Sequence, residues 1–328
     1  MSTIIDQIRI ENFKSLKDTT LNDCRTYNLL LGRPNVGKSN ILEALSIFSV
    51  PYLLPEKREL NDMLRYQHSI GELFFDGNVS QPITVQAGDY KTTLTSVDNT
   101  KLGWTIARKG NLEMLTISGG NIVSRKTADN AYPPFKRYIF RKLDKFSNAD
   151  LPFLLPIAGE NLMQIIQNSA TLTAEISGIA AEYGLQLVFD ASTREIKFQK
   201  KLNANTVFSI PFFSISDTLQ RLIFYKAAIG SNRGSVILLE EIEAHAYPPF
   251  ISKITSSILE NNDNQYFITT HSPYVLNDFL EHHDKDLAIY LVDLQEGLTT
   301  VRRLSEAEVE EVYNDGIDLF FNSEIFAE

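Results

Sequence analysis

Gly32-Arg33-Pro34-Asn35-Val36-Gly37-Lys38-Ser39 fits the pattern G-x-x-x-x-G-K-[ST], and the apolar run Tyr27-Asn28-Leu29-Leu30-Leu31 stands directly ahead of it. The run reads as a buried strand. Ser39-Asn40-Ile41-Leu42-Glu43-Ala44-Leu45 carries its apolar residues at helical spacing, so the loop has the strand and the helix that this pattern requires on its two sides. Loop amides and a helix N-terminus make an anion site, Lys38 is placed to reach the β- and γ-phosphates of a nucleotide, and the Ser39 hydroxyl can ligate Mg2+. Gly32, Arg33, Pro34, Asn35, Val36, Gly37, Lys38, Ser39 and Asn40 are the candidate nucleotide contacts.

The same string resembles the P-loop of bacterial GTPases of the ribosome-assembly kind. Those proteins also need a D-x-x-G switch and an N/T-K-x-D guanine reader. No Asp here is followed three residues later by Gly, and Thr100-Lys101-Leu102-Gly103 and Arg141-Lys142-Leu143-Asp144 each miss an essential residue. A guanine-nucleotide switch is therefore not expected.

The second half of the chain supplies other parts. Ser235-Val236-Ile237-Leu238-Leu239-Glu240-Glu241 is an apolar strand ending in two carboxylates, a form in which the first acid supports a Mg2+ shell and the second orients water. Gln265-Tyr266-Phe267-Ile268-Thr269-Thr270 reads as another buried strand. It delivers His271 at a strand end, where open α/β sheets place ligands, and Ser272-Pro273 then starts a helix. Between loop and acids, Ser216 or Asp217 caps the helical stretch running to a stop at Gly230.

P-loop, capped Ser helix, strand-Glu-Glu and strand-Thr-His follow one another in the order of an ABC-type ATPase head. With Ile8-Arg9-Ile10-Glu11-Asn12-Phe13-Lys14-Ser15 and Glu240-Glu241-Ile242-Glu243-Ala244-His245, the chain resembles the RecF/SMC-like branch, and within it the AAA15 ATPases related to the OLD-family ATPase domain. The resemblance covers roughly 1–50 and 205–300. It implies ATP and Mg2+ as cofactors, Lys38 and Ser39 as Walker A contacts, Glu240 as the Walker B metal acid, Glu241 as catalytic base, His271 as switch histidine, and Ser216-Asp217 as a degenerate signature. Glu240 stands where Asp is commoner and Ile242 where Pro is usual; the longer arm of Glu240 implies metal contact through water. No glutamine could be placed as the usual Mg2+-contacting loop residue.

The expected fold class is α/β: an ABC-type P-loop NTPase head split into 1–55 and 206–328 by an inserted lobe at 56–205. In that lobe Glu56 to Arg65 has charged helical character. Short alternating segments such as Pro82-Ile83-Thr84-Val85-Gln86-Ala87 and Gly103-Trp104-Thr105-Ile106-Ala107 read as an antiparallel meander, and Glu160 to Tyr183 follows helical spacing up to Gly184. No heptad series is long enough for a coiled-coil arm.

At 328 residues the chain can bury a sizeable core. No apolar stretch approaches membrane-spanning length, Asp6, Arg9 and Glu11 stand where a signal peptide needs an apolar core, and the single cysteine, Cys24, excludes an internal disulfide. No membrane contact and a cytoplasmic location are expected. The net charge of −10 opposes a sequence-blind grip on DNA. The basic-aromatic stretch from Arg125-Lys126 through Lys136-Arg137-Tyr138-Ile139-Phe140-Arg141-Lys142 to Lys145-Phe146 is the candidate DNA or partner surface. His282-His283-Asp284-Lys285-Asp286 reads as a polar loop, not a metal cluster, and Ser305-Glu306-Ala307-Glu308 as a capping box.

From Pro273 to Glu328 too little chain remains for a Toprim nuclease, so no nuclease activity of its own is expected. The favoured reading is an ATPase that forms a homodimer or higher homo-oligomer through its heads on ATP and regulates a separate effector, by resemblance a nuclease in antiphage defence. The alternatives are a RecF-like repair or replication ATPase that clamps DNA, and a scaffold with silent ATP binding.

Overall fold

A computed structural model describes residues 4–54, 56–98, 100–108, 111–127, 132–282 and 286–326. Packing divides the chain into two units, one of residues 1–137, 234–242 and 262–328, the other of 138–233 and 243–261.

The first unit opens with β1 (Ile8–Phe13), β2 (Leu16–Leu21) and β3 (Tyr27–Leu31), then the helix α1 (Lys38–Ser46). All five residues of β3 are buried, as a near-continuous apolar run requires of a strand covered on both faces. A meander of β4 (Ile83–Ala87), β5 (Tyr90–Asp98), β6 (Lys101–Arg108), β7 (Asn111–Ser118) and β8 (Asn121–Thr127) extends the β1–β2 hairpin into one antiparallel sheet, ordered β2-β1-β4-β5-β6-β7-β8. Alternation buries Leu102, Trp104 and Ile106, and the Trp104 indole donates to the Ile47 carbonyl at 3.0 Å.

The meander is as expected, but its packing partner differs from the expected lobe. β4 satisfies the open edge of β1, so the meander joins the N-terminal strands, and the packing boundary falls near 137, inside the 56–205 segment. Glu56 to Arg65 is not an α-helix. Only a single 3-10 turn, Leu60–Asp62, forms there, because the Asp62 carboxylate turns back to the Glu59 N–H. β9 (Phe135–Tyr138) follows.

In the second unit, α2 (Leu162–Asn168) and α3 (Ala170–Glu182) replace the single run expected from 160 to 183. Ser169 breaks it with extended backbone, and its hydroxyl accepts from the Leu172 N–H at 3.2 Å. β10 (Gln186–Asp190), β11 (Glu195–Asn203) and β12 (Thr206–Pro211) make a three-stranded antiparallel sheet. α4 (Asp217–Ser231) begins at Ser216, whose hydroxyl accepts from the Leu219 N–H at 3.4 Å. Gly230 does not stop this helix. A Cβ there would lie 3.1 Å from Leu172 Cδ2, so the glycine permits close packing, and Asn232 ends the helix by donating to the Ala228 carbonyl at 2.6 Å. α5 (Pro248–Glu260) buries Phe250, Ile251, Ile254 and Ile258 on one face.

The first unit's other sheet adds β13 (Val236–Glu240), β14 (Gln265–Thr269), β15 (Leu287–Gln295) and β16 (Leu298–Arg303), in the order β16-β15-β3-β14-β13-β9. β15, β3, β14 and β13 run parallel and β16 turns back antiparallel. α6 (Pro273–Leu280) follows β14. α7 (Glu306–Asp315) starts in the capping box of Ser305 and Glu308, and α8 (Leu319–Asn322) follows. Residues 283–285 of the polar loop lie outside the described residues. Asp286 accepts from the Thr26 N–H and hydroxyl at 3.0 and 2.9 Å, and no metal-binding cluster occurs among the described residues. None of the described helices is long and apolar enough to cross a membrane.

Candidate nucleotide site

Because β3, β14 and β13 are adjacent and parallel, the segments leaving their C-terminal ends meet at one edge of the sheet. Pro34, Asn35, Gly37, Lys38, Ser39, Asn40, Glu240, Glu241 and His271 line one cavity of about 600 Å3 there, with Arg65. The loop and, from about two hundred residues further along the chain, both acids and the histidine are thus brought together.

The loop is held from outside. Asn40 Nδ2 donates to Ser15 Oγ (2.8 Å), Ser15 Oγ hydrogen-bonds Thr299 Oγ1 (2.7 Å), and Thr299 Oγ1 donates to the Val36 carbonyl (2.8 Å). With Thr299 as donor to Val36, the chain has one direction, and each hydroxyl donates once. Gly37 adopts φ +107, and a Cβ there would stand 2.2 Å from Thr299 Oγ1. Gly37 is therefore needed for conformation and for space. Sequence reasoning missed Thr299, since nothing local marks a hairpin threonine 261 positions beyond Lys38 as a brace for the loop.

Lys38 is buried, and its ammonium donates to the carbonyls of Gly32 (2.7 Å) and Arg33 (2.8 Å). Glu240 closes β13 and Glu241 follows with φ +44, a left-handed conformation that is strained for a non-glycine residue. Glu241 Oε1 lies 3.8 Å from His271 Nε2. Burial and the Lys38 charge push the His271 pKa down against the pull of Glu241, which favours a neutral imidazole at pH 7.

Burial works to raise the Glu240 pKa, but Arg137, Ser39 and Arg65 together outweigh it and hold the carboxyl below the usual range. Arg137 Nη2 donates to Glu240 Oε2 at 2.6 Å, and Arg65 Nη2 stands 3.5 Å from Oε1. Arg65 also pairs with Glu43, as does Lys14. Glu43 has a fully buried side chain; it anchors the β1–β2 turn and Arg65 to α1. Arg65 stands in the cavity wall where no glutamine does among the described residues. The Ser39 hydroxyl and the Glu240 carboxylate both line the cavity, and such hard oxygens suit Mg2+.

Ser216 and Asp217 belong to the second unit. Asp217 is bound by Lys142 (3.1 Å) and Arg221 (2.9 Å) at the start of α4. The basic-aromatic stretch does not form the continuous surface expected of it. Lys136 is 5% exposed and donates to Ser235 Oγ and Arg137 is 1% exposed on Glu240, because β9 enters the sheet and takes its cations inward, while Lys142 beyond the strand pairs with Asp217. Residues 128–131 lie outside the described residues, as do the side chains from 124 to 127.

The family described as "AAA ATPase domain" (AAA_15) matches residues 4–105, and that described as "AAA domain, putative AbiEii toxin, Type IV TA system" (AAA_21) matches 129–277. Both matches are to AAA-type domains, and the chain is an ATPase. An "ATP/GTP phosphatase" of Helicobacter pylori is 22% identical to this ATPase over 329 residues, covering 86% of this chain and 88% of the relative. An Smc head solved with the C-winged helix domain of ScpA is 15% identical with a TM-score of 0.53, across 94% of this chain and 99% of that one. A Pyrococcus furiosus Smc head with an extended coiled coil, bound to the C-terminal domain of ScpA, is 13% identical with a TM-score of 0.50, across 95% and 98%. These neighbours carry the same P-loop NTPase fold.

Proposed function

We propose that this ATPase binds ATP with Mg2+ in the cavity at the ends of β3, β13 and β14, and that its head dimerises on ATP to signal to a separate effector. The observation that carries the reading is the convergence of Lys38, Ser39, Glu240, Glu241 and His271 on that cavity. Bound Mg2+ would neutralise phosphate charge and order the leaving group. Ser39 and Glu240 are the residues to hold it. Lys38 gives one of its carbonyl contacts up to a phosphate, and the α1 amides face the same anion. Glu241 accepts the proton of the attacking water, while His271, kept neutral beside Lys38, orients the γ-phosphate side.

An antiphage setting with a nuclease effector is the finer reading. Its supports are the OLD-type resemblance and the toxin description of the family matching 129–277. The burial of Lys136 and Arg137 weighs against DNA clamping by that stretch.

Calorimetry tests the site: Lys38→Ala should abolish MgATP binding, while Glu241→Gln binds but does not hydrolyse. Wild-type ATP affinity in Lys38→Ala, or a preference for GTP, would refute it. Mixing inactive Lys38→Ala with inactive Ser216→Arg protein should restore some hydrolysis if Ser216 and Asp217 complete a neighbouring subunit's site. Mixed dimers without recovery would mean each chain works alone.

A further inference from the structure

Glu240 meets two guanidinium groups, and the two contacts are unlike. Arg137 reaches Oε2 at 2.6 Å from a side chain 1% exposed, whereas Arg65 stands 3.5 Å from Oε1 on a side chain 60% exposed. Arg137 is fixed at a second point, Nη1 donating to the Met63 carbonyl at 2.8 Å, and its strand β9 lies beside β13 in the sheet. Arg65 lines the cavity and Arg137 does not.

We infer that Arg137 is a positioning residue for the metal-shell acid: it holds Glu240 Oε2 from behind, leaves Oε1 to the cavity, and is the reason a glutamate stands at this strand end. The backbones of β9 and β13 are set by the sheet, so the gap between Arg137 and the cavity is fixed. Glutamate spans it. An aspartate carboxylate, one methylene closer to β13, cannot satisfy Arg137 and still face the metal side. A planar guanidinium tethered at two ends also sets the plane of the carboxylate, which an ammonium cannot do. The pair is too buried to break cheaply, so the contact to Oε2 persists whatever occupies the cavity.

The inference rests on the nucleotide-site reading above, and its test separates the two. Mn2+ binding is followed by electron paramagnetic resonance on the full chain with a non-hydrolysable ATP analogue, and analogue affinity is measured in parallel in EDTA. Arg137→Lys and Glu240→Asp should each weaken Mn2+ half-saturation about 10- to 100-fold, the usual effect of losing an outer-shell partner. Metal-free analogue affinity should stay within about twofold, and the double variant should lose little beyond either single one. A merely structural ion pair would be rescued by the lysine. Wild-type Mn2+ half-saturation in Arg137→Lys, or losses that multiply in the double variant, overturns the inference. If Arg137→Lys does not fold, Glu240→Asp decides alone, and Mn2+ binding as in wild type overturns it. Lys38→Ala that still binds the analogue sinks the nucleotide-site reading itself; Lys38→Ala that fails to bind, with Mn2+ behaviour unchanged in the Arg137 variant, sinks only the positioning role.

Discussion

Gly37→Ala should disable the phosphate loop for two separable reasons. The new Cβ would stand 2.2 Å from Thr299 Oγ1, 2.8 Å from its Cγ2 and 2.9 Å from Ser15 Oγ, all inside normal contact. Overpacking of this kind costs about 1–3 kcal/mol. Alanine at φ +107 is strained whatever the space, for about 1–3 kcal/mol more. Thr299→Ala by itself loses the bonds to Val36 and Ser15, about 1–3 kcal/mol together. In the double variant the two threonine contacts, the closest of the three, are gone, and the backbone strain and the contact with Ser15 Oγ remain. The combined loss should then fall short of the sum of the single losses by about 1–3 kcal/mol. Native-state hydrogen exchange at the first amides of α1, including Ile41 N–H on the Gly37 carbonyl, reads the local free energy; calorimetric affinity for an ATP analogue reads the function. Additivity within about 0.5 kcal/mol would refute the steric argument.

Three further outcomes are expected. Burial depresses the Lys136 pKa from 10.5 to about 7, so the folded chain binds this proton more weakly than the unfolded one. The resulting cost is full below the folded value and fades toward 10.5, so Lys136→Met should gain about 1–3 kcal/mol in urea titrations at neutral pH. No gain, or a gain that grows as the pH is raised, would contradict it. Burial pushes the Cys24 thiol up to about 12, so iodoacetamide should modify it only in denaturant, and rapid labelling of native protein would show the thiol to be accessible. Glu240 is held below its ordinary 4.5, so its contribution to stability is present above 4.5 and lost as the pH falls through the lower folded value. Arg137→Met/Glu240→Gln should therefore have a flatter acid limb below 4.5, and an unchanged limb would remove Glu240 from the acid response.

The parts of the site legible in the sequence are those whose chemistry is local. A glycine-rich loop between an apolar strand and an apolar helix, two carboxylates closing a β-strand run, and a histidine after another such run each carry their meaning within about ten residues, because strand ends and helix starts are built from neighbouring positions. The antiparallel meander was legible for the same reason, its alternation being a period of two. What packed against what was not. Whether the meander joined β1 or the helices from 162 to 182 depended on which open strand edge it could satisfy, and edges have no local signature. Lys136 and Arg137 looked like a surface patch because a basic run reads as solvated; only the pairing of β9 beside β13 turns them inward, one onto Ser235 and the other onto Glu240. Thr299, Glu43 and Arg65 matter through partners between 22 and 284 positions away, at distances that only tertiary packing sets.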